Sequence, residues 1–262
     1  MTPAFIRKSL KEMVPLFESR SHNLCNTLSE AAVSRKLVDM QEEFQKLTFD
    51  VIGLVAMGMD FNSQRGDGNI YGEAWEKVLS QLMFQFYFPL PKWMWKWLGF
   101  LPSIRTFNKS MQILEDAVQH SIEMRKSAPI DPESSDLLSL MLLDQKNAIE
   151  NNLPIEYTDQ RIKRELLTFI FAGHDTTRST MCWMLYYIIT QPEVYEKVMD
   201  ELKCILGDSL SFENVDLSQF KYTKCVLNET LRLRPPAPVR GRTLVHSDTI
   251  AGVTLPKGSH VV

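Results

Sequence analysis

At 262 residues, with 29 Lys+Arg against 32 Asp+Glu and a formal net charge of −3, the chain has the length of one large domain or two small ones and no basic excess to neutralise phosphates. A composition 44% hydrophobic and 23% charged disfavours wholesale disorder and argues against nucleic acid as the partner. The four cysteines (Cys25, Cys182, Cys204, Cys225) form no Cys-x-x-Cys pair and no framework of the kind that staples small secreted domains, so a reducing compartment is expected.

In chain order, residues 3–34 read as one or two amphipathic helices with Arg7, Lys8, Glu12 and Glu18 among the apolar positions, a pattern unlike a signal peptide or a membrane anchor. Residues 38–58 read as another helix, with Phe44, Leu47, Val51, Leu54 and Val55 at helical spacing. A polar loop follows over Asn62–Asn69, and a helix starts near Gly72. That helix runs into Phe84–Pro102, which holds four Phe, three Trp, one Tyr, three Pro and, as its charges, Lys92 and Lys96. Pro89 and Pro91 prevent a single regular helix there. Two readings stand: buried core at a helix junction, or an apolar surface that touches a membrane or rims a pocket, since Trp and Lys together suit an interface.

Helices are expected over Ser103–Arg125 and Asp136–Asp144, with a Pro/Asp/Ser loop between them. The longest element is expected to start after Thr158, a suitable N-cap, with nothing to stop it before Thr190, giving a rod of roughly 50 Å. Pro192 opens a further helix that ends at Gly207, and a last helix covers about Leu217–Leu233. After Pro235-Pro236-Ala237-Pro238 the texture turns to short strand-like runs at Arg242–Val245, Thr249–Ile250, Gly252–Leu255 and His260–Val262. The longest apolar uncharged run, Ser179–Pro192, is shorter than the ~20 residues that span a bilayer.

Two constellations carry chemistry. In the middle of the long helix stands Phe171-Ala-Gly-His-Asp-Thr-Thr177. Ala172-Gly173 removes bulk from one turn and the Thr176 hydroxyl can bond back to a carbonyl about four residues earlier, so a notch can open there. Asp175 and Thr176 place a carboxylate and a hydroxyl beside that notch, a pair able to relay protons. On the segment alone, an ordinary helix with an Asp175–Arg178 ion pair is the plainer reading. The second constellation is Glu229-Thr-Leu-Arg232, two opposite charges on one helix face, followed by the prolines that end the helix and by Arg242. None of His22, His120, His174, His246 and His260 shows metal-ligand spacing.

Together these segments resemble the cytochrome P-450 superfamily of haem-thiolate monooxygenases, of eukaryotic microsomal type. Ala172-Gly-His-Asp-Thr-Thr177 matches the oxygen-activation motif of helix I, and Asn228-Glu-Thr-Leu-Arg-Leu-Arg-Pro-Pro-Ala-Pro238 matches the helix K motif. Ile250-Ala-Gly-Val-Thr-Leu-Pro-Lys-Gly258 is similar to the strand pair that follows in the family, and Phe49–Gly58 and Thr2–Phe5 extend the likeness upstream.

The resemblance implies a mainly α fold: a partial cytochrome P-450 fold with a long central helix and a few short β-strands near the C-terminus. It would form one incomplete domain over 1–262, from the end of helix C to the strands after helix K. By the same resemblance, haem b with its iron is the cofactor. The activity is insertion of one oxygen atom of O2 into a small apolar organic substrate, with an NADPH-dependent reductase as electron donor. Asp175 and Thr176 would deliver protons, Ala172 and Gly173 would line the oxygen notch, and Arg242 would meet a haem propionate. Glu229 and Arg232 would be structural, while Phe171, Ala237, Val239 and, more remotely, Arg240 would face substrate. The intact protein would sit on the cytosolic face of the endoplasmic reticulum membrane, with contact through Phe84–Pro102. The anchor and the loop bearing the cysteine ligand are expected outside Met1–Val262, no metal ligand is expected within it, and the chain by itself is expected to be inactive. The alternative from another class is a non-catalytic truncated fragment, or a helical interaction module without haem.

Overall fold

The computed structural model describes residues 13–65, 70–88, 90–127, 129, 136–207, 212 and 215–261. Nine α-helices occur among them: α1 (Val14–Ser34), α2 (Met40–Met57), α3 (Ile70–Tyr87), α4 (Lys92–Trp97), α5 (Pro102–Ser127), α6 (Leu137–Glu150), α7 (Asp159–Thr190), α8 (Pro192–Leu206) and α9 (Lys221–Leu233). Four short strands follow, β1 (Arg242–Thr243), β2 (Asp248–Ile250), β3 (Val253–Leu255) and β4 (His260–Val261). The chain is mainly helical, with its strands gathered at the carboxyl end.

Caps written in the sequence set several helix starts. The Asp39 carboxylate accepts from the Gln41 and Glu42 amides at the start of α2, Asp136 accepts from Ser139 N at α6, and Thr158 accepts from Arg161 N at α7. α7 then runs for 32 residues as uninterrupted α-helix, about 48 Å at 1.5 Å per residue.

α7 crosses the core. Ile162, Leu166, Ile170 and His174, spaced four apart, are each no more than 1% exposed, so one stripe of the rod is sealed. It packs against Phe49, Ala56 and Met57 of α2, Trp75 and Val78 of α3, Leu114, Val118 and Ile122 of α5, and Leu138 and Met141 of α6. A smaller cluster joins Leu24 of α1 and Phe44 and Leu47 of α2 to Met181, Cys182 and Leu185 on another side of α7.

The outcome differs from the sequence reading in four places. The helix after Asp136 reaches Glu150 rather than Asp144. The helix expected over Leu217–Leu233 is two elements, a 3₁₀ turn at Leu217–Gln219 and α9, because the Asp216 carboxylate caps the first and Phe220 breaks between them. The expected loop at Asn62–Asn69 opens with a 3₁₀ turn at Ser63–Arg65, whose Ser63 and Gln64 amides donate to the buried Asp50 carboxylate. The strand run at Arg242–Val245 shortens to Arg242–Thr243. The proposed helix start in residues 3–12, the rest of that polar loop and most of the Pro/Asp/Ser loop lie outside the described residues.

The strands make two separate antiparallel pairs rather than one sheet. β1 pairs with β4 in the register Arg242↔Val261 and Thr243↔His260. β2 pairs with β3 in the register Asp248↔Leu255, Thr249↔Thr254 and Ile250↔Val253.

The aromatic stretch is resolved in favour of surface. α3 ends at Tyr87, α4 is a short helix after Pro91, a 3₁₀ turn covers Leu98–Phe100, and α5 begins at Pro102. Tyr87, Phe88, Trp93, Trp97 and Phe100 are each more than half exposed, with Trp97 at 74%. The core reading of Phe84–Pro102 therefore fails for these rings. Trp95 is the more covered indole, and its Nε1–H donates to the Leu90 carbonyl at 3.1 Å.

Candidate active site

The motif on α7 has two sides with different neighbours. On the open side, Ala172 and Phe171 are exposed, and the Thr176 hydroxyl donates to the Ala172 carbonyl at 2.6 Å. One turn further, the Thr180 hydroxyl donates to the Thr176 carbonyl at 2.9 Å. Such back-bonding satisfies the hydroxyls while loosening the helix on that face. Phe171 lies against Trp75 of α3, with ring centroids 5.7 Å apart.

On the other side the motif is clamped to α2. A Cβ built on Gly173 would come within 2.7 Å of Ile52 Cδ1, so the space that this glycine leaves is filled by α2. Of the two residues expected to line a notch, Ala172 is on the open face, and the bulk missing at Gly173 serves close packing against α2. The helix also shows no widened turn there.

His174 sits within the aromatic core, edge-on to Phe49 at 5.1 Å and to Trp75 at 6.2 Å. Among the described residues, neither ring nitrogen has a hydrogen-bond partner. Burial, reinforced by the Arg178 charge, presses its pKa from 6.5 down to about 4, so the ring is neutral at physiological pH. Asp175 pairs with Arg178, Nη2 to Oδ1 2.5 Å, and Arg178 Nη1 reaches Gln45 Oε1 of α2 at 3.2 Å. The plainer sequence reading of an Asp175–Arg178 pair is therefore present, but it is anchored on α2 rather than free in solvent.

A cleft of about 340 Å³ opens beside this pair, lined by Gln41, Asp175, Arg178, Ser179, Cys182 and two aromatic rings. Burial raises the Cys182 pKa, which keeps it a thiol. A larger hollow of about 920 Å³, lined by α1 on one side and by Phe212, Val215, Asp216 and Leu217 on the other, contains none of the motif residues.

The helix K-like motif is present as geometry. Arg232 makes a two-pronged bond to Glu229, Nε to Oε2 2.8 Å and Nη2 to Oε1 2.6 Å, and each partner shifts the other toward its charged form. Both side chains are more than half exposed, so the pair by itself contributes little stability. Glu201 of α8 fixes the start of that helix: its carboxylate accepts from the Tyr222 and Thr223 amides and the Thr223 hydroxyl, at 2.7, 2.8 and 2.7 Å. No sequence argument pointed to Glu201, and its partners lie 21 and 22 residues away.

Beyond α9, Arg234 stacks over the Trp183 ring at 4.6 Å and so ties this segment to α7. Ala237, Val239, Arg240 and Arg242 are all exposed.

Two exposed residues have chemistry that suits a flat, largely apolar, anionic group. Ala172 offers a small exposed surface on α7, and the Arg242 guanidinium is exposed to pair with a carboxylate. They do not supply a thiolate beneath it. Cys182 is packed on the α1–α2 side of α7, and Cys204 and Cys225 lie within α8 and α9, where main-chain amides are committed to the helix. Among the described residues no group of three or more His, Cys, Asp or Glu is placed to hold a metal ion.

Comparison with known proteins agrees with the motifs. The family model for cytochrome P-450 matches residues 1–262. Similar curated proteins include the chloroplastic LUTEIN DEFICIENT 5 of Arabidopsis thaliana, 28% identical over all of this chain and 44% of that protein. Another is the bifunctional cytochrome P-450/NADPH–P-450 reductase ALT2 of Alternaria alternata, 35% identical over 80% of this chain and 18% of that protein. The crystal structure of a cytochrome P-450 (CYP102L1) superposes with a TM-score of 0.80 at 21% identity, over 99% of this chain and 58% of that one. The chain belongs to the cytochrome P-450 family. It spans about half the length, or less, of the curated relatives it matches. No helix among the described residues is long and apolar enough to cross a membrane.

Proposed function

We propose that this chain is the central part of a haem-dependent monooxygenase that inserts one oxygen atom of O2 into a small apolar organic substrate, with electrons from an NADPH-dependent reductase. The observation that carries the reading is the α7 motif, where a hydroxyl and a carboxylate on adjacent residues flank an exposed small residue in the middle of an otherwise packed rod. Family membership supports it, as does the reductase named in one relative's title.

Haem, when bound, would supply the oxygen-activating redox chemistry. This chain would hold it through Ala172 of α7 on one face and Arg242 at a propionate, with the thiolate coming from a cysteine other than the four present. Phe171, Ala237 and Val239 would bound the apolar substrate and exclude water. Asp175 Oδ would take up protons and Thr176 Oγ1 would pass them on. Glu229 and Arg232, held in a fixed fork, would tie α9 to further chain. The exposed aromatic surface at Tyr87–Phe100 would rest on a membrane, and the endoplasmic reticulum is the proposed location.

The test is Thr176→Ala in the intact, haem-loaded protein. Reductant and O2 are expected still to be consumed while peroxide rises at the expense of product. An unchanged product yield per reductant would remove Thr176 from proton delivery.

A further inference from the structure

Gln45 of α2 is 7% exposed and meets α7 at both flanks of Asp175. Its side-chain carbonyl accepts from Arg178 Nη1, and its main chain lies against the His174 ring. Arg178 in turn donates to Asp175 through its second nitrogen. A guanidinium three residues from a carboxylate on an open helix face makes a weak, mobile pair. Here the second fork of that guanidinium is seated on a buried amide of another helix, which fixes where the carboxylate points.

The direction matters because successive residues on a helix are about 100° apart. The carboxylate held by Arg178 borders the cleft between α2 and α7 and stands one helix position from the Thr176 hydroxyl that bonds the Ala172 carbonyl. The cleft is polar where it meets the carboxylate, with Gln41, Arg178 and Ser179 beside Asp175.

We propose that Gln45 is a positioning residue for proton delivery: by seating Arg178 it keeps the Asp175 carboxylate over this cleft, where protons arrive from bulk water. The proposal rests on the reading of Asp175 as the proton carrier. The step moves a proton only: a carboxylate oxygen gains it from cleft water, releases it toward the Thr176 side, and regains its negative charge.

The test uses Gln45→Leu, which removes the acceptor at similar size, and Gln45→Glu, which keeps one. In the intact, haem-loaded protein, Gln45→Leu is expected to lower product yield per reductant about three-fold or more and to change the solvent isotope effect, with KM for substrate unmoved. Gln45→Glu is expected to stay near the parent. A second readout needs no turnover: a double-mutant cycle of Asp175→Asn and Arg178→Gln on the unfolding equilibrium, run with Gln45 and with Leu at that position. About a two- to five-fold coupling is expected with Gln45 and none with Leu. Coupling that persists with Leu, or a Glu variant as poorly coupled as Leu, overturns the role of Gln45. If Asp175→Asn itself leaves product yield unchanged, the proton-carrier reading fails first. If Asp175→Asn lowers the yield and Gln45→Leu does not, only the Gln45 proposal falls.

Discussion

Gly173 of α7 and Ile52 of α2 occupy each other's space: the hydrogen of the one faces the terminal methyl of the other, where a Cβ would stand 2.7 Å from Cδ1. Because Cδ1 is the far end of a side chain that can rotate, Gly173→Ala should be tolerated to within about 1 kcal/mol, overpacking being partly offset by better helix propensity. Gly173→Val puts two further methyls against the same side chain and should lose about 2–3 kcal/mol. Ile52→Ala in the Val background should recover part of that loss, although alone it is destabilising. Denaturant unfolding of the four variants checks this, and strictly additive losses would place the clash elsewhere.

His174 predicts an acid-sensitive core. Its folded pKa is lowered to about 4 by burial and by Arg178, against an ordinary value of 6.5. The unfolded chain thus binds a proton below about pH 6.5 that the native chain refuses until about pH 4. Stability is fully present above 6.5 and falls as pH drops through that window, by about 2 kcal/mol between pH 7 and pH 5. His174→Phe keeps a ring against Phe49 and Trp75 and leaves no unpaired buried nitrogen, so it should flatten this part of the profile. Urea unfolding of parent and variant at the two pH values is the measurement. An equally steep parent and variant would assign the titration to another group.

Glu201 predicts the opposite end of acid behaviour. Partial burial pushes its carboxyl up, but the amides of Thr223, Tyr222 and Lys221 and the Thr223 hydroxyl outweigh that and leave it below its usual value. A lowered carboxylate pKa gives stability that is present above about pH 4.5 and lost as pH falls through the folded value. Since Phe220 offers no side-chain cap, Glu201→Ala should cost about 0.5–2 kcal/mol. Hydrogen exchange should quicken at Tyr222 and Thr223 first. Unchanged protection at those two amides would mean that water replaces the carboxylate without loss.

The exposed rings at Trp93 and Trp97 predict membrane affinity without structural cost. Replacing both by Ser, and leaving the hydrogen-bonded Trp95 in place, should weaken flotation with anionic vesicles while changing stability by less than about 1 kcal/mol. A loss near the ~3–5 kcal/mol of a buried Trp truncation would show that they are packed after all.

What was legible in the sequence was local. The Thr158 cap, the length of α7, the Thr176 back-bond and the Asp175–Arg178 pair all follow from neighbours within four residues. What was not legible lies across the chain: Gln45 reaches Arg178 over 133 positions, and Ile52 reaches Gly173 from another helix. One signal was available for His174. It continues the four-residue stripe of Ile162, Leu166 and Ile170, and that stripe is the buried one. Phe84–Pro102 had no such stripe, and composition alone gave core and surface equal standing.

The hydroxyl of Thr176 has one proton, and it is already given to the Ala172 carbonyl. A guest that claims that proton leaves the carbonyl its main-chain donor within the α-helix, so the exchange gives up one side-chain hydrogen bond on an exposed turn. An apolar guest entering this exposed turn leaves the hydroxyl where it is, whereas a guest that carries an acceptor atom competes for the proton with the carbonyl.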